Sequence, residues 1–211
     1  MTDLIDKLHW RYATKKFNPA KQVPDETIER ILEAVRLTPS SSGLQPYELI
    51  LVTNPALRAQ IKSVAWDQQQ VVDCSHLLVF AAWDDITADR VNAMYDLMTE
   101  ERGFNEGLDA YRQRLLGIVA ARGKEANYEA AARQAYIGLG AALIAAAFEG
   151  VDATPMEGFD PTAVDTILGL GARQLRSVLI VPFGYRDEEG DWLVKMKKVR
   201  RARADFVTDM R

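Results

Sequence analysis

The sequence predicts a single domain that combines α-helices and β-strands. Its 211 residues are 48% hydrophobic and 27% charged, which is enough apolar content for one sizeable core. Several stretches repeat apolar residues at helical spacing, and short runs rich in β-branched and aromatic residues lie between them. No internal repeat or Gly/Ser linker divides the chain, so we expect residues 1–211 to form one domain.

The helices are predicted from apolar periodicity and from residues that begin or end helices. Pro24-Asp25 begins a helix that Pro39 ends, and Asp160-Pro161 begins another. The region from about 86 to 123 is helical and polar, with interspersed Leu, Tyr and Phe, which predicts a mobile helical insertion near a site. The other predicted helices are 3–10, 55–65 and 125–148.

Three short apolar runs predict buried strands, at 47–53, 76–83 and 175–184. The third is the most strand-like run in the chain. A short extended piece ends at Pro155. The basic tail, from about 190 to 211, is expected to be a C-terminal extension that need not be compact.

The last part of the long helix, from Ala135 to Phe148, is apolar nearly all round, so we expect burial on most faces. Gly138, Ala142 and Ala145 are small residues spaced by four and three. Such a stripe lets another helix approach closely, and a twofold-related copy of the chain is one natural partner. We therefore predict a homodimer.

Composition argues against several classes of protein. The formal charge is only -4 and the cations are scattered, so we expect no nucleic-acid partner. The N-terminus lacks a basic and apolar leader, and no apolar run approaches 18 residues, so we expect no membrane span. A single cysteine, Cys74, excludes an internal disulfide framework. The sequence thus favours a cytoplasmic protein.

Motifs for polar catalysis are absent from the sequence. Gly138-Leu-Gly140 lacks the preceding strand that a dinucleotide fingerprint needs, so close helix packing is the better interpretation. His9, Cys74 and His76 favour structural roles, since a Cys-His pair so close along a strand start would be unusual. We predict no metal site and no catalytic side chain.

Four segments at the ends of periodic stretches carry cations, hydroxyls and backbone amides, which suit a phosphorylated, hydrogen-bonding cofactor. Three of them also have ordinary interpretations, and the turn Pro155–Phe159 would be ordinary if it stood alone. Arg11 and Lys15 could form a solvated face, and Ser40–Ser42 could satisfy their own backbone. The segments are Arg11–Lys15, Pro39–Pro46, Pro155–Phe159 and Lys198–Arg200.

In this order and spacing, the four segments resemble the FMN-dependent nitroreductase family, from about residue 3 to residue 200. The resemblance implies an α+β fold of three α/β/α layers with a central, mostly antiparallel sheet. It also implies an intertwined homodimer with two FMN sites at the subunit interface, and NADH or NADPH as electron donor.

The resemblance also implies roles for individual residues. Arg11, Lys198 and Arg200 would hold the FMN phosphate, and Lys15 would face the pyrimidine end of the flavin. The loop Pro39–Ser41 would reach in from the partner subunit, and the Glu157 backbone N–H would point at flavin N5. The full set of candidate cofactor-binding residues is Arg11, Tyr12, Ala13, Lys15, Pro39, Ser40, Ser41, Gly43, Gln68, Gln70, Pro155, Met156, Glu157, Gly158, Lys198 and Arg200.

Several positions depart from the family pattern. Ala13 stands where a serine commonly assists the phosphate, and Gly43 stands where some members have Asn. Gln68 and Gln70 would replace an Asn and a second Lys near the pyrimidine with neutral contacts, which should stabilise the reduced flavin less.

The expected reaction is a ping-pong, two-electron transfer from NAD(P)H to nitroaromatics or quinones. A flavin or ene reductase, a reductive dehalogenase and a non-catalytic flavin-binding protein remain alternatives.

Overall fold

The computed structural model describes residues 3–211 and places helices and strands where the sequence predicts them. The strand over 175–184 has its predicted bounds, and short helices at 70–73 and 203–206 are additions. The elements are α1 Leu4–Trp10, α2 Asp25–Arg36, β1 Tyr47–Val52, α3 Pro55–Val64, α4 Gln70–Asp73, β2 His76–Trp83, α5 Ala88–Arg102, α6 Glu106–Arg122, α7 Lys124–Phe148, β3 Asp152–Ala153, α8 Pro161–Leu168, β4 Leu175–Gly184 and α9 Arg203–Phe206.

The strands form one sheet in the order β1-β2-β4-β3, and every neighbouring pair is antiparallel. Long-range pairing therefore builds the centre of the domain, with Leu78 opposite Leu51 on one side and Val181 on the other. A bulge between Phe80 and Ala81 shifts the register of β2 against β4. The prediction of a mostly antiparallel sheet is confirmed.

Alternating residues of β2 face two different helical layers. Leu78 and Phe80 lie in a buried cluster with α2 and α7, whereas Leu77 and Val79 pack in a cluster with α3, α4 and α8. This alternation follows from the two-residue period of a strand whose two faces are both covered. The domain therefore has the three α/β/α layers that the resemblance implies.

Helices α5 and α6 form the helical region predicted over 86–123. Gly103, at φ +81°, ends α5, and Asn105 caps α6 by accepting a hydrogen bond from the Leu108 N–H at 3.0 Å. The pair has its own apolar cluster, which includes Tyr95 and Leu115. The region is thus packed against the domain through side chains of both helices.

Helix α7 corrects one prediction, because it is not buried on most faces within the chain. Ile137 is 47% exposed and Phe148 is 46% exposed, and Ile144 lies on the same exposed stripe. Its 25 residues and a mean hydropathy of 1.3 over one window would suit a membrane span by length and composition alone. In this fold, however, α7 packs against α2 and the sheet, as a core helix does.

The small-residue stripe on α7 also has a different partner from the one predicted. A Cβ at Gly138 would lie 2.9 Å from Tyr47 Cζ and 3.1 Å from Val35 Cγ1, so the glycine admits side chains of β1 and α2 from the same chain. Ala142 is fully buried in the same layer. The stripe therefore serves packing within the chain, and it is not evidence for a twofold-related helix.

Alanine substitutions at two glycines of α7 should change stability in opposite directions. A Cβ at Gly140 meets no atom of its own chain within 4 Å, so Gly140→Ala should stabilise the single subunit by about 0.5–1 kcal/mol through helix propensity. Gly138→Ala should lose about 1 kcal/mol through overpacking against Tyr47. Urea unfolding midpoints measure both effects, and equal gains at the two positions would contradict the packing described here.

Cys74 and His76 lie in packed surroundings. Burial raises the pKa of the Cys74 thiol to about 11, and its Sγ donates to the Val71 carbonyl at 3.3 Å. Burial lowers the pKa of His76, whose Nδ1 lies 2.8 Å from Ser75 Oγ. Ser75 Oγ also accepts from the Val23 N–H and lies 3.1 Å from Gln22 Oε1, so this hydroxyl is fully engaged.

Candidate functional site

Three cations converge at the end of α1. Lys198 Nζ donates hydrogen bonds to the carbonyl oxygens of Leu8 and Arg11, which brings the C-terminal tail against this helix end. Burial lowers the pKa of Arg11, and the positive charge of Arg200 lowers it further. The pKa of Lys198 is lowered by burial and by both arginines. Residues that are nearly 190 positions apart in the sequence therefore lie together in one region of positive charge.

Within residues 3–211, none of these three cations forms an ion pair. Asp152 raises the pKa of Arg11 from a distance, but its carboxylate is already paired with Arg186. Like charges held together without an anion repel one another, and partial burial strengthens that repulsion. The cluster formed by Arg11, Lys198 and Arg200, called here the cation cluster, thus has the charge that suits a phosphate group.

The segment that follows Arg11 is fixed by one buried carboxylate, Asp191. Its Oδ2 accepts from the Tyr12 hydroxyl at 2.9 Å, from the Lys15 N–H at 2.8 Å and from the Lys16 N–H at 3.3 Å. Burial and this hydrogen bond raise the pKa of Tyr12. Asp191 is only 3% exposed, so the tail is held against the domain where it begins.

Arg186 supports the same segment from its other side. Its Nε lies 2.9 Å from Asp152 Oδ1, and its guanidinium lies over the rings of Trp10 at 4.4 Å and Tyr12 at 4.6 Å. Both members of the ion pair are largely buried. This arrangement sets the direction in which the chain leaves α1.

Backbone contacts join the segment to β3. Ala13 forms a parallel bridge with Ala153, and the Thr154 hydroxyl donates to the Thr14 carbonyl at 2.7 Å. The chain then continues directly from β3 into the turn at Pro155. The first and third of the four predicted segments therefore lie side by side.

The turn that begins at Pro155 presents two unused backbone donors. Met156 is tied to β4 by reciprocal hydrogen bonds with Ile180, at 2.9 and 3.0 Å. In the described chain, the N–H groups of Glu157 and Gly158 donate to no protein acceptor. Exposed amides on a rigid turn can bind the polar edge of a ring, as the resemblance implies for Glu157.

A strained loop covers this turn. Trp66 and Asp67 have φ values of +51° and +53°, a conformation that costs non-glycine residues roughly 1–2 kcal/mol each. The indole packs on Gly158, where a Cβ would lie 2.7 Å from its Cε3 and Cζ3 atoms. A glycine is therefore required at position 158, because a larger residue would collide with the Trp66 indole.

Gln68 and Gln70, the two glutamines named as candidate cofactor-binding residues, differ in their contacts. Gln68 Nε2 donates to the Ala65 carbonyl at 3.1 Å and to the Gly158 carbonyl at 2.9 Å, so this side chain ties the loop to the turn. Gln70 is the first residue of α4, and its carbonyl accepts from the Cys74 N–H. Gln68 thus lies beside the turn that begins at Pro155 and is held there by hydrogen bonds to the protein itself.

The serine-containing loop is a single turn of 3-10 helix over Ser41–Gly43, with Ser42 at φ +56° and Gly43 at φ +67°. Ser40 Oγ accepts from the Gln45 N–H at 2.8 Å, so this hydroxyl satisfies its own backbone. Pro39, Ser40 and Gly43 line a groove of about 620 Å³ beside α5.

Two contacts place the serine loop and the turn at Glu157 on opposite sides of α7. The Ser41 N–H donates to Gln134 Oε1 at 2.8 Å, whereas the Tyr136 hydroxyl donates to the Glu157 carboxylate. Residues two apart on an α-helix leave it about 200° apart. One chain therefore brings the first, third and fourth predicted segments together and holds the second segment apart.

Three residues of this site were missed by sequence reasoning: Trp66, Arg186 and Asp191. The partners of Asp191 lie about 175 positions away in the chain, so no local pattern could reveal them. Trp66 gave the one available signal, since it is a large apolar residue directly before Asp67 and three glutamines.

Comparison with known proteins decides the family. A model of the Nitroreductase family matches residues 8–185. A Staphylococcus epidermidis protein, provisionally named an NAD(P)H nitroreductase, is 33% identical over 218 residues that cover 97% of this chain and 96% of the relative. The chain belongs to the nitroreductase family. The resemblance carried by the four segments is thereby confirmed.

Two crystal structures extend the nitroreductase comparison to the fold. A provisionally named nitroreductase of Bacillus subtilis has a TM-score of 0.87 at 23% identity, over 98% of both chains. A protein of Exiguobacterium sibiricum, provisionally named a nitroreductase and crystallised in complex with FMN, has a TM-score of 0.82 at 17% identity, over 99% of this chain and 97% of its own. The α+β fold class is therefore confirmed.

Proposed function

We propose that this nitroreductase-family protein is an FMN-dependent NAD(P)H oxidoreductase. It transfers two electrons by a ping-pong reaction to flat acceptors such as nitroaromatics and quinones. The observation that carries the proposal is the cation cluster, which has three convergent positive charges and no acidic partner within residues 3–211.

The residues present fit FMN at both of its ends. Arg11, Lys198 and Arg200 would hold the phosphate, where each charge-assisted hydrogen bond contributes roughly 1.5–3 kcal/mol. Micromolar binding requires about 8 kcal/mol in total, which three such bonds and burial of the ring can supply. At the other end, the free N–H groups of Glu157 and Gly158 would meet the polar edge of the ring.

FMN supplies the chemistry when bound, since its ring accepts two electrons from NAD(P)H and passes them to the acceptor. The protein's contribution is binding and orientation. Asp191 accepts a hydrogen bond from the Lys15 N–H and so fixes the backbone of Lys15. From this position the Lys15 side chain would face the pyrimidine end of the flavin. Tyr136 holds the Glu157 side chain through its hydroxyl, which keeps the carboxylate in one position beside the turn.

The proposed assembly is a homodimer with a site at each end of the interface. The serine loop and the Glu157 turn lie on opposite sides of α7, so a site that uses both needs two chains. The exposed apolar stripe on α7 and the exposed Leu4, Ile5 and Leu8 of α1 offer surface for such an interface. The proposed compartment is the cytoplasm.

FMN affinity tests the proposal. Arg200→Ala should weaken binding by about 10- to 100-fold, because it removes one charge-assisted bond from the phosphate. The matched control is Arg203→Ala, which removes a nearby exposed arginine that does not affect the pKa of Arg11 or Lys198. Quenching of FMN fluorescence measures both constants. Equal affinity for Arg200→Ala and the parent protein would refute the assignment of the phosphate site.

Electron transfer is tested separately by absorption between 300 and 550 nm during anaerobic addition of NADH or NADPH. Loss of the visible bands, and their return on adding a nitroaromatic or quinone, is the expected result. Faster reoxidation by an activated alkene or an aryl halide would favour the ene reductase or dehalogenase alternative. Protein that takes up no FMN would favour the binding-protein alternative.

A further inference from the structure

Trp66 lies at the ring end of the candidate site, and the proposed function leaves it without a role. We propose that its indole is a stacking surface for the flat ring that exchanges electrons with the flavin, which is either the nicotinamide of the nucleotide or the ring of an aromatic acceptor. This inference rests on the proposed function and adds a residue that recognises the substrate.

The indole is placed by its contact with Gly158. A Cβ at Gly158 would lie 2.7 Å from two carbon atoms of the indole, so any other residue there would displace Trp66. The same turn carries the unused N–H groups of Glu157 and Gly158. Trp66 therefore stands directly beside the donors assigned to the ring edge.

The backbone holds Trp66 in a costly conformation without burying it. Trp66 and Asp67 are consecutive left-handed residues, and such residues persist only where their surroundings fix them. Here Lys62 pairs with Asp67 at 2.7 Å, and Gln68 bonds both Ala65 and Gly158. Three separate contacts thus maintain the loop.

Packing within the chain does not explain this arrangement, because the side chain of Trp66 remains in contact with solvent. Trp66 is 79% exposed, although tryptophan is highly buried on average. Strained backbone concentrates at ligand-binding sites, where the strain positions a functional group. An indole that is held in place but left uncovered has the properties of a binding surface.

The free face of the indole suits an electron-poor ring. Aromatic pairs stack with an attraction beyond their area burial, and the oxidised nicotinamide ring is a cation that an indole face also attracts. Within residues 3–211, cations lie over the rings of Trp10 and Trp83, but none lies over Trp66. In a ping-pong reaction, donor and acceptor occupy the same place in turn, so one surface can serve both.

Two variants of the full-length, FMN-loaded protein test the inference. Trp66→Asn removes the ring but tolerates the left-handed backbone, so its thermal midpoint and FMN affinity should equal or exceed those of the parent. Its kcat/KM should fall by about 3- to 10-fold for NADPH or NADH, for 1,4-naphthoquinone, or for both. Trp66→Phe keeps an aromatic face and should stay within about 2-fold of the parent.

An equilibrium measurement supports the kinetics. Titration of the oxidised, FMN-loaded protein with NAD⁺ and NADP⁺, followed by isothermal titration calorimetry, should show binding weakened by a similar factor in Trp66→Asn. Because kcat/KM for each substrate of a ping-pong enzyme reports its own half-reaction, a fall for the nucleotide alone assigns the nicotinamide, and a fall for the quinone alone assigns the acceptor. Ferricyanide has no flat ring, so its kcat/KM should not change.

Three results would overturn the inference. They are unchanged kcat/KM for every ring substrate, loss of FMN from Trp66→Asn, and dissociation of the oligomer in this variant, since the last two assign Trp66 to the cofactor or to the interface. Failure of the parent protein to bind FMN would instead refute the proposed function, and the inference with it. That failure is visible before any variant is made.

Discussion

Replacing Asp152 with alanine is expected to lower the free energy of unfolding by about 3–5 kcal/mol. The carboxylate is 4% exposed and pairs with Arg186, whose side chain is 16% exposed. Removing the acid leaves a buried guanidinium without its counter-charge, and it also removes the acceptor of the Arg186 backbone N–H. Urea unfolding followed by circular dichroism measures the change.

The double variant Asp152→Ala/Arg186→Met distinguishes loss of a buried pair from loss of packing. Methionine keeps contact with the rings of Trp10 and Tyr12 and leaves no unpaired charge, so the double variant should be more stable than Asp152→Ala alone. Glu33→Ala breaks an exposed pair with Arg36 and should change stability little. A double variant less stable than Asp152→Ala alone would contradict this account of the pair.

Local sequence patterns were sufficient to predict most elements of the fold. The strand over 175–184 contains the apolar run from Val178 to Phe183, and α2 begins at its proline signal, so both follow from neighbouring residues alone. The three layers and the sheet order depend on pairing between distant strands. The three layers were predicted from the resemblance, and the order of the strands was not predicted at all.

Within a single chain, the predicted burial of α7 on most faces is wrong for a definable reason. A helix that is apolar all round has the same pattern whether its second face meets its own chain or a separate surface. The glycine at 138 turned out to admit Tyr47, whereas Ile137 and Ile144 remain exposed. The apolar pattern alone could not show which face of α7 packs within the chain and which face stays exposed.

For the candidate site, sequence reasoning identified the charged residues but not the residues that position them. Arg11 and Lys198 were named from their motifs, and the structure brings them together. Asp191 and Arg186 have no motif of their own, because their function is to hold a segment that lies far away in the chain. Such positioning residues become visible only with the tertiary structure.

Replacing Asp191 with alanine should affect both stability and cofactor binding. The variant leaves the Lys15 and Lys16 N–H groups and the Tyr12 hydroxyl without an acceptor, so we expect a loss of about 2–4 kcal/mol in the free energy of unfolding. Because the segment from Arg11 to Lys15 would lose its support, FMN affinity should fall by about 10-fold or more. Denaturant unfolding and FMN titration measure the two effects.

Two further variants separate the contributions of this carboxylate. Asp191→Asn keeps one acceptor oxygen and most of the shape, so its loss should be smaller than that of Asp191→Ala. Tyr12→Phe removes a single donor and should cost about 1 kcal/mol while leaving the backbone of Lys15 in place. FMN affinity should therefore follow the order parent, Tyr12→Phe, Asp191→Asn, Asp191→Ala. If Tyr12→Phe lost as much affinity as Asp191→Ala, the tyrosine hydroxyl itself would be the important group, and support of the backbone would not be.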